Sequence, residues 1–177
     1  DAGTCNKCGQ PYEMRSTVMS KSLGNTVAPA EIVNKYGADT ARLFILSVAN
    51  PEKELEWSDM GVERSFKFLN RLWDFMVAQP ANTHEEKTIF DEHIEFMRHK
   101  VIKEVTENMD ALNIRDAITS AFQFVDELRT YAAGSVLPDL FEQCKEIVAI
   151  VLSPFVPHIA EEFWERMGKG GFISLAS

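Results

Sequence analysis

Cysteine is scarce, with three in 177 residues. An odd count with two of them in Cys5-Asn-Lys-Cys8 offers no disulfide framework and fits a reducing compartment, so the cytoplasm is the expected home. Long apolar runs are missing as well. Nothing approaches the roughly 18 residues needed to span a bilayer, and no charged-then-apolar leader opens the chain, so no membrane partner is expected. Positive charge is in deficit. Lys and Arg number 18 against 27 Asp and Glu, a formal charge of −9, whereas phosphate binding is driven by Lys and Arg displacing counterions. A nucleic-acid partner is compatible with that sum only if the cations are gathered on one face. Histidine is rare too, and His84, His93, His99 and His158 stand in no Ser-His-Asp or paired-carboxylate arrangement.

What is present is helix-forming sequence. Hydrophobic residues make up 45% of the chain, ample for a core. Residues 1 to 17 carry turn formers and no period, and read as an irregular or ribbon-like segment. Pro29 opens a short helix at the position where proline is tolerated, and Gly37 stops it. Asp39 can cap the next, with Ala41, Phe44, Ile45 and Val48 as its apolar stripe, before Pro51 ends it. Ser58 caps a long helix to about Ala78. The capping-box pattern Thr83-His-Glu-Glu86 opens another to about Asn108, with Phe90, Ile94, Met97, Val101 and Val105 inward. Asn113, Pro138 and Pro157 start three more, the last ending near Met167. Ala117, Ala121, Phe124 and Leu128 line one of these, and Leu140, Cys144, Ile147 and Val151 the next. Long amphipathic helices with short joints predict a mainly α fold, an antiparallel bundle. A first residue Asp1 rather than Met, and a tail from Gly170 to Ser177 without a helical period, predict that both ends continue into something longer.

The chemistry-bearing stretch is residues 18 to 25, Val-Met-Ser-Lys-Ser-Leu-Gly-Asn. A small-residue, glycine-followed loop with Lys21 between two hydroxyls suits a polyanion: the ammonium is mobile, and Ser20 and Ser22 donate to phosphate oxygens. Downstream come Glu31 to Phe44, the run Glu54-Leu-Glu-Trp-Ser-Asp59, Phe68-Leu-Asn-Arg-Leu-Trp73, and Leu152 to Trp164 with its Pro157-His-Ile-Ala-Glu-Glu162. In that order these segments resemble the region following the Lys-Met-Ser-Lys-Ser signature loop of the leucine, isoleucine and valine members of the class I aminoacyl-tRNA synthetases. The run at 54 to 59 is most similar to leucyl members of bacterial type. The resemblance spans about residues 12 to 167. Val18 stands where the signature has its first lysine, which leaves the polyanion work to Lys21; several leucyl members share that loss.

The resemblance implies a great deal. Residues 1–57 would be the C-terminal tail of a nucleotide-binding α/β catalytic domain, and residues 58–177 a helical anticodon-binding domain. The parent reaction would be ATP-dependent, Mg-assisted activation of leucine, then transfer to tRNA, with tRNA-Leu, ATP and leucine as partners of a monomer. Met19, Ser20, Lys21 and Ser22 would form the ATP-side loop, Lys21 being catalytic. The family's second motif, of His-x-Gly-His type, and the leucine pocket are not in the chain, which alone is therefore expected to be inactive. A valyl or isoleucyl segment, a non-catalytic tRNA-binding module and a zinc-dependent interaction module are the alternatives.

Further candidates come from spacing. Arg64, Lys67 and Arg71, at i, i+3 and i+7, share one stripe at about 100° per residue, beside Phe66, Leu69, Trp73 and Met76. That stripe is either a solvated face or, as the resemblance implies, a tRNA contact; Trp73 is either core or a stacking platform. Arg98, His99, Lys100 and Lys103 form a second basic cluster whose neighbours Glu95, Glu104 and Glu107 can pair with it. Cys5 and Cys8, followed by Gly9, have the spacing of half a zinc knuckle, where four ligands are usual. Cys144 reads as inert core, and His158 as a packing or capping residue.

Overall fold

The structure, a computed structural model, describes residues 2–13, 17–48, 50 and 52–176. The expected helix-ending Pro51 lies outside these. An antiparallel ribbon of β1 (Ala2–Thr4) and β2 (Pro11–Glu13) comes first. Its turn closes with Cys5 N–H donating to Gln10 O at 2.8 Å and Gly9 N–H to Cys5 O at 2.8 Å. Gly9 sits at φ 72°, a left-handed conformation that glycine adopts at no steric cost. Seven α-helices follow among the described residues: α1 (Pro29–Tyr36), α2 (Ala38–Val48), α3 (Asp59–Val77), α4 (Ile89–Asp110), α5 (Ile114–Ala132), α6 (Pro138–Leu152) and α7 (Pro157–Arg166).

The helices meet as a mainly α bundle, with α4, α5 and α6 mutually packed, α6 on α7, and α3 on α7. Its core runs through Leu69, Leu72, Ile94, Val101, Phe124, Leu128, Phe141, Leu152 and Phe163. Most boundaries follow local chemistry. Ser58 accepts the Gly61 N–H as the cap of α3, and prolines open α1, α6 and α7 at their tolerated first turn.

Two expectations are corrected. The helix expected from Thr83 starts five residues later, where Thr88 caps α4 and exchanges a capping box with Asp91. Asn82 and Thr83 instead form a two-residue parallel pair, β3, with β4 at Ser135–Val136. Phe90, expected inward, precedes the buried part of α4 and is 71% exposed. The second correction concerns α2: its buried face is Asp39, Thr40, Leu43 and Phe44, while Ile45 and Val48 are exposed. The helix is turned so that its first polar residues face the bundle.

The expected division at 57/58 falls on the cap of α3, yet α2 packs across it against α3, α5 and α7, and its Leu43 belongs to the bundle core. Phe44 lies edge-on to Trp57 at 5.1 Å and so close to Gly61 that a Cβ there would come within 2.4 Å of its ring. Glycine at 61 is what lets α2 and α3 approach. No described helix is long and apolar enough to cross a membrane.

One buried carboxylate ties the α3–α4 and α5–α6 joints together. Asp91 is wholly buried. Its Oδ2 accepts the Thr88 N–H and hydroxyl, each at 2.6 Å, and lies 2.8 Å from His84 Nε2. Its Oδ1 accepts the Tyr131 hydroxyl, whose oxygen in turn accepts the Leu137 N–H at 2.7 Å. Burial pushes the Tyr131 phenol above its usual range and Asp91 adds to this, so Tyr131 stays a donor.

Candidate nucleotide loop and nucleic-acid interface

The loop expected to meet a polyanion is a short, clipped turn. Residues Lys21–Leu23 form one 3-10 turn, closed by Gly24 at φ 65°. Asn25 fastens both ends, accepting the Ser20 N–H on Oδ1 at 2.7 Å and donating Nδ2 to Val18 O at 3.3 Å. The Ser20 and Ser22 hydroxyls lie 2.8 Å apart, so the two sit on the same side of the turn. Lys21 and Ser22 are exposed and Ser20 half-buried, while Val18 and Leu23 present apolar surface to solvent. The arrangement can offer one mobile ammonium and a pair of hydroxyls to an anionic ligand without disturbing any core residue. Asn25 had no periodic or motif signal of its own; a polar residue after a turn glycine is the one hint.

The loop leads into α1 and then α2, so it is carried on helices that end in the bundle. On α3, Arg64, Lys67 and Arg71 are exposed, opposite Val62, Leu69, Leu72 and Met76, which are buried. Arg64 donates to the Met60 sulfur, and Lys67 makes a long 3.9 Å pair with Glu63 at the solvent surface, a contact worth little. Phe66, expected inward, is partly exposed and meets the Tyr36 ring edge-on at 5.5 Å. Trp73 packs on the core, stacked with Phe163 at 5.3 Å, with the Arg166 guanidinium 4.8 Å from its ring. Trp73 is therefore a core-edge residue, partly buried.

The second basic cluster is neutralised. Arg98 pairs with Glu95 at 3.8 Å and donates to Gln143, Lys100 pairs with Glu104 at 3.6 Å, and Lys103 with Glu107 at 3.8 Å. Cys144 is buried, and burial pushes its thiol up to about 12, which makes it inert.

Cys5 and Cys8 face the turn of the ribbon. The backbone N–H groups of Lys7 and then Cys8, followed by the Cys8 side chain, favour the Cys5 thiolate and hold its thiol below the ordinary value. Such N–H donation stabilises a thiolate. Among the described residues no group of three or more His, Cys, Asp and Glu is placed to hold a metal ion.

With this geometry in view, the relatives are informative. Residues 14–58 match the family model described as tRNA synthetases class I (I, L, M and V), and residues 91–177 that described as anticodon-binding domain of tRNA ligase. The chain belongs to the class I tRNA synthetases. The leucine–tRNA ligase of Cyanothece sp. (strain PCC 7425 / ATCC 29141) is 38% identical over 166 residues, covering 90% of this chain and 19% of the relative. That of Fervidobacterium nodosum is 37% identical over 165 residues, covering 88% and 20%. Within the class the chain stands with the leucine–tRNA ligases, and it spans about a fifth of the length of these relatives. The crystal structure of the Agrobacterium radiobacter K84 agnB2 LeuRS-tRNA-LeuAMS ternary complex shares the fold, with a TM-score of 0.76 at 23% identity over 88% of this chain and 21% of that one.

Proposed function

We propose that the chain supplies the ATP-side loop and the tRNA-binding bundle of a cytoplasmic, monomeric leucine–tRNA ligase, which activates leucine with Mg-ATP and transfers it to tRNA-Leu. Residues 1–57 then close the catalytic domain and residues 58–177 form the tRNA-binding domain. The observation that carries this reading is the clipped Met19-Ser20-Lys21-Ser22 turn, exposed for a polyanion and carried on helices that run into a bundle with an exposed cationic stripe on α3. In the reaction Lys21 meets the negative charge developing on the leaving pyrophosphate, and the two hydroxyls orient the phosphates.

The stripe of Arg64, Lys67 and Arg71 is the tRNA contact in this reading. Replacing all three by Gln keeps helix propensity and leaves the buried face of α3 untouched, so helicity and melting stay the same. Affinity for tRNA falls, and the slope of log affinity against log salt becomes shallower by about two to three, one per lost phosphate contact. Titration of labelled tRNA into both forms at two salt concentrations reads this. Equal affinities in two folded proteins would reduce the stripe to a solvated face.

A second reading concerns zinc at Cys5 and Cys8, favoured by the tight glycine turn that carries both thiols and by the lowered Cys5 thiol. The two thiolates supply half of a tetrahedral set. Cobalt(II) added to the chain should give thiolate-to-metal absorption that Cys5→Ser abolishes. A featureless spectrum at saturating cobalt would remove the metal from the account.

A further inference from the structure

Two oppositely charged side chains on α2 grip the corner between α6 and α7, more than a hundred residues away in sequence. Asp39, buried in the first turn of α2, had the look of a cap for its own helix. Its carboxylate serves α7 instead: Oδ2 accepts the Ile159 N–H at 2.8 Å and Oδ1 lies 2.7 Å from His158 Nδ1. Val156, the residue at the cap position of α7, makes no side-chain bond there, and Pro157 has no N–H to give. An acceptor from α2 thus supplies what a Ser or Asp at the cap would. One turn further along α2, Arg42 donates from its terminal nitrogen to Pro154 O at 2.9 Å and from Nε to Phe155 O at 3.3 Å. These carbonyls belong to the short turn that joins α6 to α7, just past the α6 cap at Ser153.

Anion on amides and cation on carbonyls are each in the orientation that the helix-terminal dipoles favour. The pair is also tied to the signature loop. Thr40 donates its hydroxyl to Tyr36 O at 2.7 Å, which fixes the α1–α2 corner at Gly37. Gly37 adopts φ 87°, a conformation that glycine takes without steric cost. The chain from the loop through α1 and α2 is therefore anchored at a defined point of the bundle, and its anchor is polar and directional, unlike the apolar packing of Leu43 and Phe44 beside it.

We infer that Asp39 and Arg42 are positioning residues: they lock the helical base of the signature loop onto the α6–α7 corner, so that the loop is presented from a fixed platform and the bundle and loop move as one body. The inference rests on the proposed function for its consequence in catalysis, but the joint itself is a property of this chain.

The test has two arms. In the 177-residue chain, hydrogen exchange followed by mass spectrometry is compared for wild type, Asp39→Ala and Arg42→Met. Amides of α1, of the first turn of α2 and of the first turn of α7 should exchange at least tenfold faster in either variant, while α4 and α5 keep wild-type protection. Unchanged exchange in α1, or an equal rise in α4 and α5, would overturn the joint. In a full-length ligase carrying this segment, Asp39→Ala should lower leucine-dependent pyrophosphate exchange by about tenfold and leave the Kd for tRNA within twofold. Asp39→Asn, which keeps an acceptor for the Ile159 N–H, should recover most of the rate. A variant with a wild-type rate, or with rate, tRNA affinity and melting all falling together, would show that the joint only holds the fold. If the wild-type enzyme itself shows no exchange, the proposed function fails, and the first arm still decides the joint.

Discussion

Replacing Asp91 by Ala should lower the unfolding free energy of the chain by about 3 to 4 kcal/mol, at the upper end of what single substitutions do. The carboxylate is wholly buried and accepts four hydrogen bonds or close polar contacts, from the Thr88 N–H, the Thr88 hydroxyl, Tyr131 and His84. Bonds to a charged acceptor each contribute about 1.5 to 3 kcal/mol, and they are not additive here because they share two oxygens. Truncation leaves the Tyr131 hydroxyl without an acceptor in the interior, and it removes the capping box of α4. It also frees His84, which otherwise bridges Asp91 to the Ser135 hydroxyl at 3.1 Å and keeps β3 on β4. Urea unfolding followed by circular dichroism measures the loss.

The same carboxylate has a pH signature. Burial alone would raise its pKa, but the bonds from Thr88, Tyr131 and His84 outweigh burial and hold it well below the ordinary carboxylate range. The folded value is thus lower than the unfolded one, so Asp91 contributes its full stability above about pH 4 and loses it as pH falls further toward the folded value. Asp91→Asn keeps an acceptor oxygen but cannot titrate. It should be destabilised less than Asp91→Ala, and its stability should fall less steeply than that of wild type between about pH 4 and pH 2. Parallel curves, or a loss below about 1 kcal/mol in the Ala variant, would show that the network is incidental.

Asp91 also shows where sequence patterns stop being decisive. Thr83-x-x-Glu86 has the capping-box pattern, yet the box that forms is Thr88 with Asp91. Asp91 is held there by partners that local pattern does not show, among them Tyr131, forty residues on. Helices whose ends are set by their own residues were legible: Ser58 before α3, and prolines at the starts of α1, α6 and α7; Asn113 stands at the cap position of α5, but its side chain makes no capping bond. The inward faces of α5 and α6 were legible as well, because Ala117, Ala121, Phe124, Leu128, Leu140 and Cys144 keep the helical period without interruption. What local pattern could not carry was long-range polar pairing. Asp39 satisfies the rule for a cap, but its partner is the start of α7, and this turns α2 so that Ile45 and Val48 face solvent. The two-residue β3–β4 pair is too short to leave any alternation. At the loop, Lys21 and the two hydroxyls could be read directly as groups for an anion. The clip by Asn25 depends on backbone atoms that have no sequence code.

That clip bears on the remaining expectation. In a full-length leucine–tRNA ligase carrying this segment, Lys21→Ala should lower leucine-dependent pyrophosphate exchange by about ten- to hundredfold, the equivalent of one lost charged hydrogen bond of roughly 1.5 to 3 kcal/mol in the transition state. The fold should not suffer, because Lys21 is exposed and the turn is held by Asn25, Gly24 and the Ser20–Ser22 contact rather than by the lysine. The melting temperature and the Kd for tRNA should therefore match wild type. If the ammonium acts mainly on charge that develops as pyrophosphate leaves, the loss appears in kcat more than in the KM for ATP, since an interaction absent from the ground state does not contribute to binding. Lys21→Arg keeps the charge but not the compact ammonium geometry, and should fall between the two. Asn25→Ala offers an independent check, for it leaves Lys21 in place and releases the turn that presents it. It should lower the rate while preserving the response to ionic strength that a bound cation confers. A Lys21→Ala enzyme with unchanged kcat would take the lysine out of the chemistry. An equal loss of rate, melting temperature and tRNA affinity would mean that the loop serves the fold and not the phosphates.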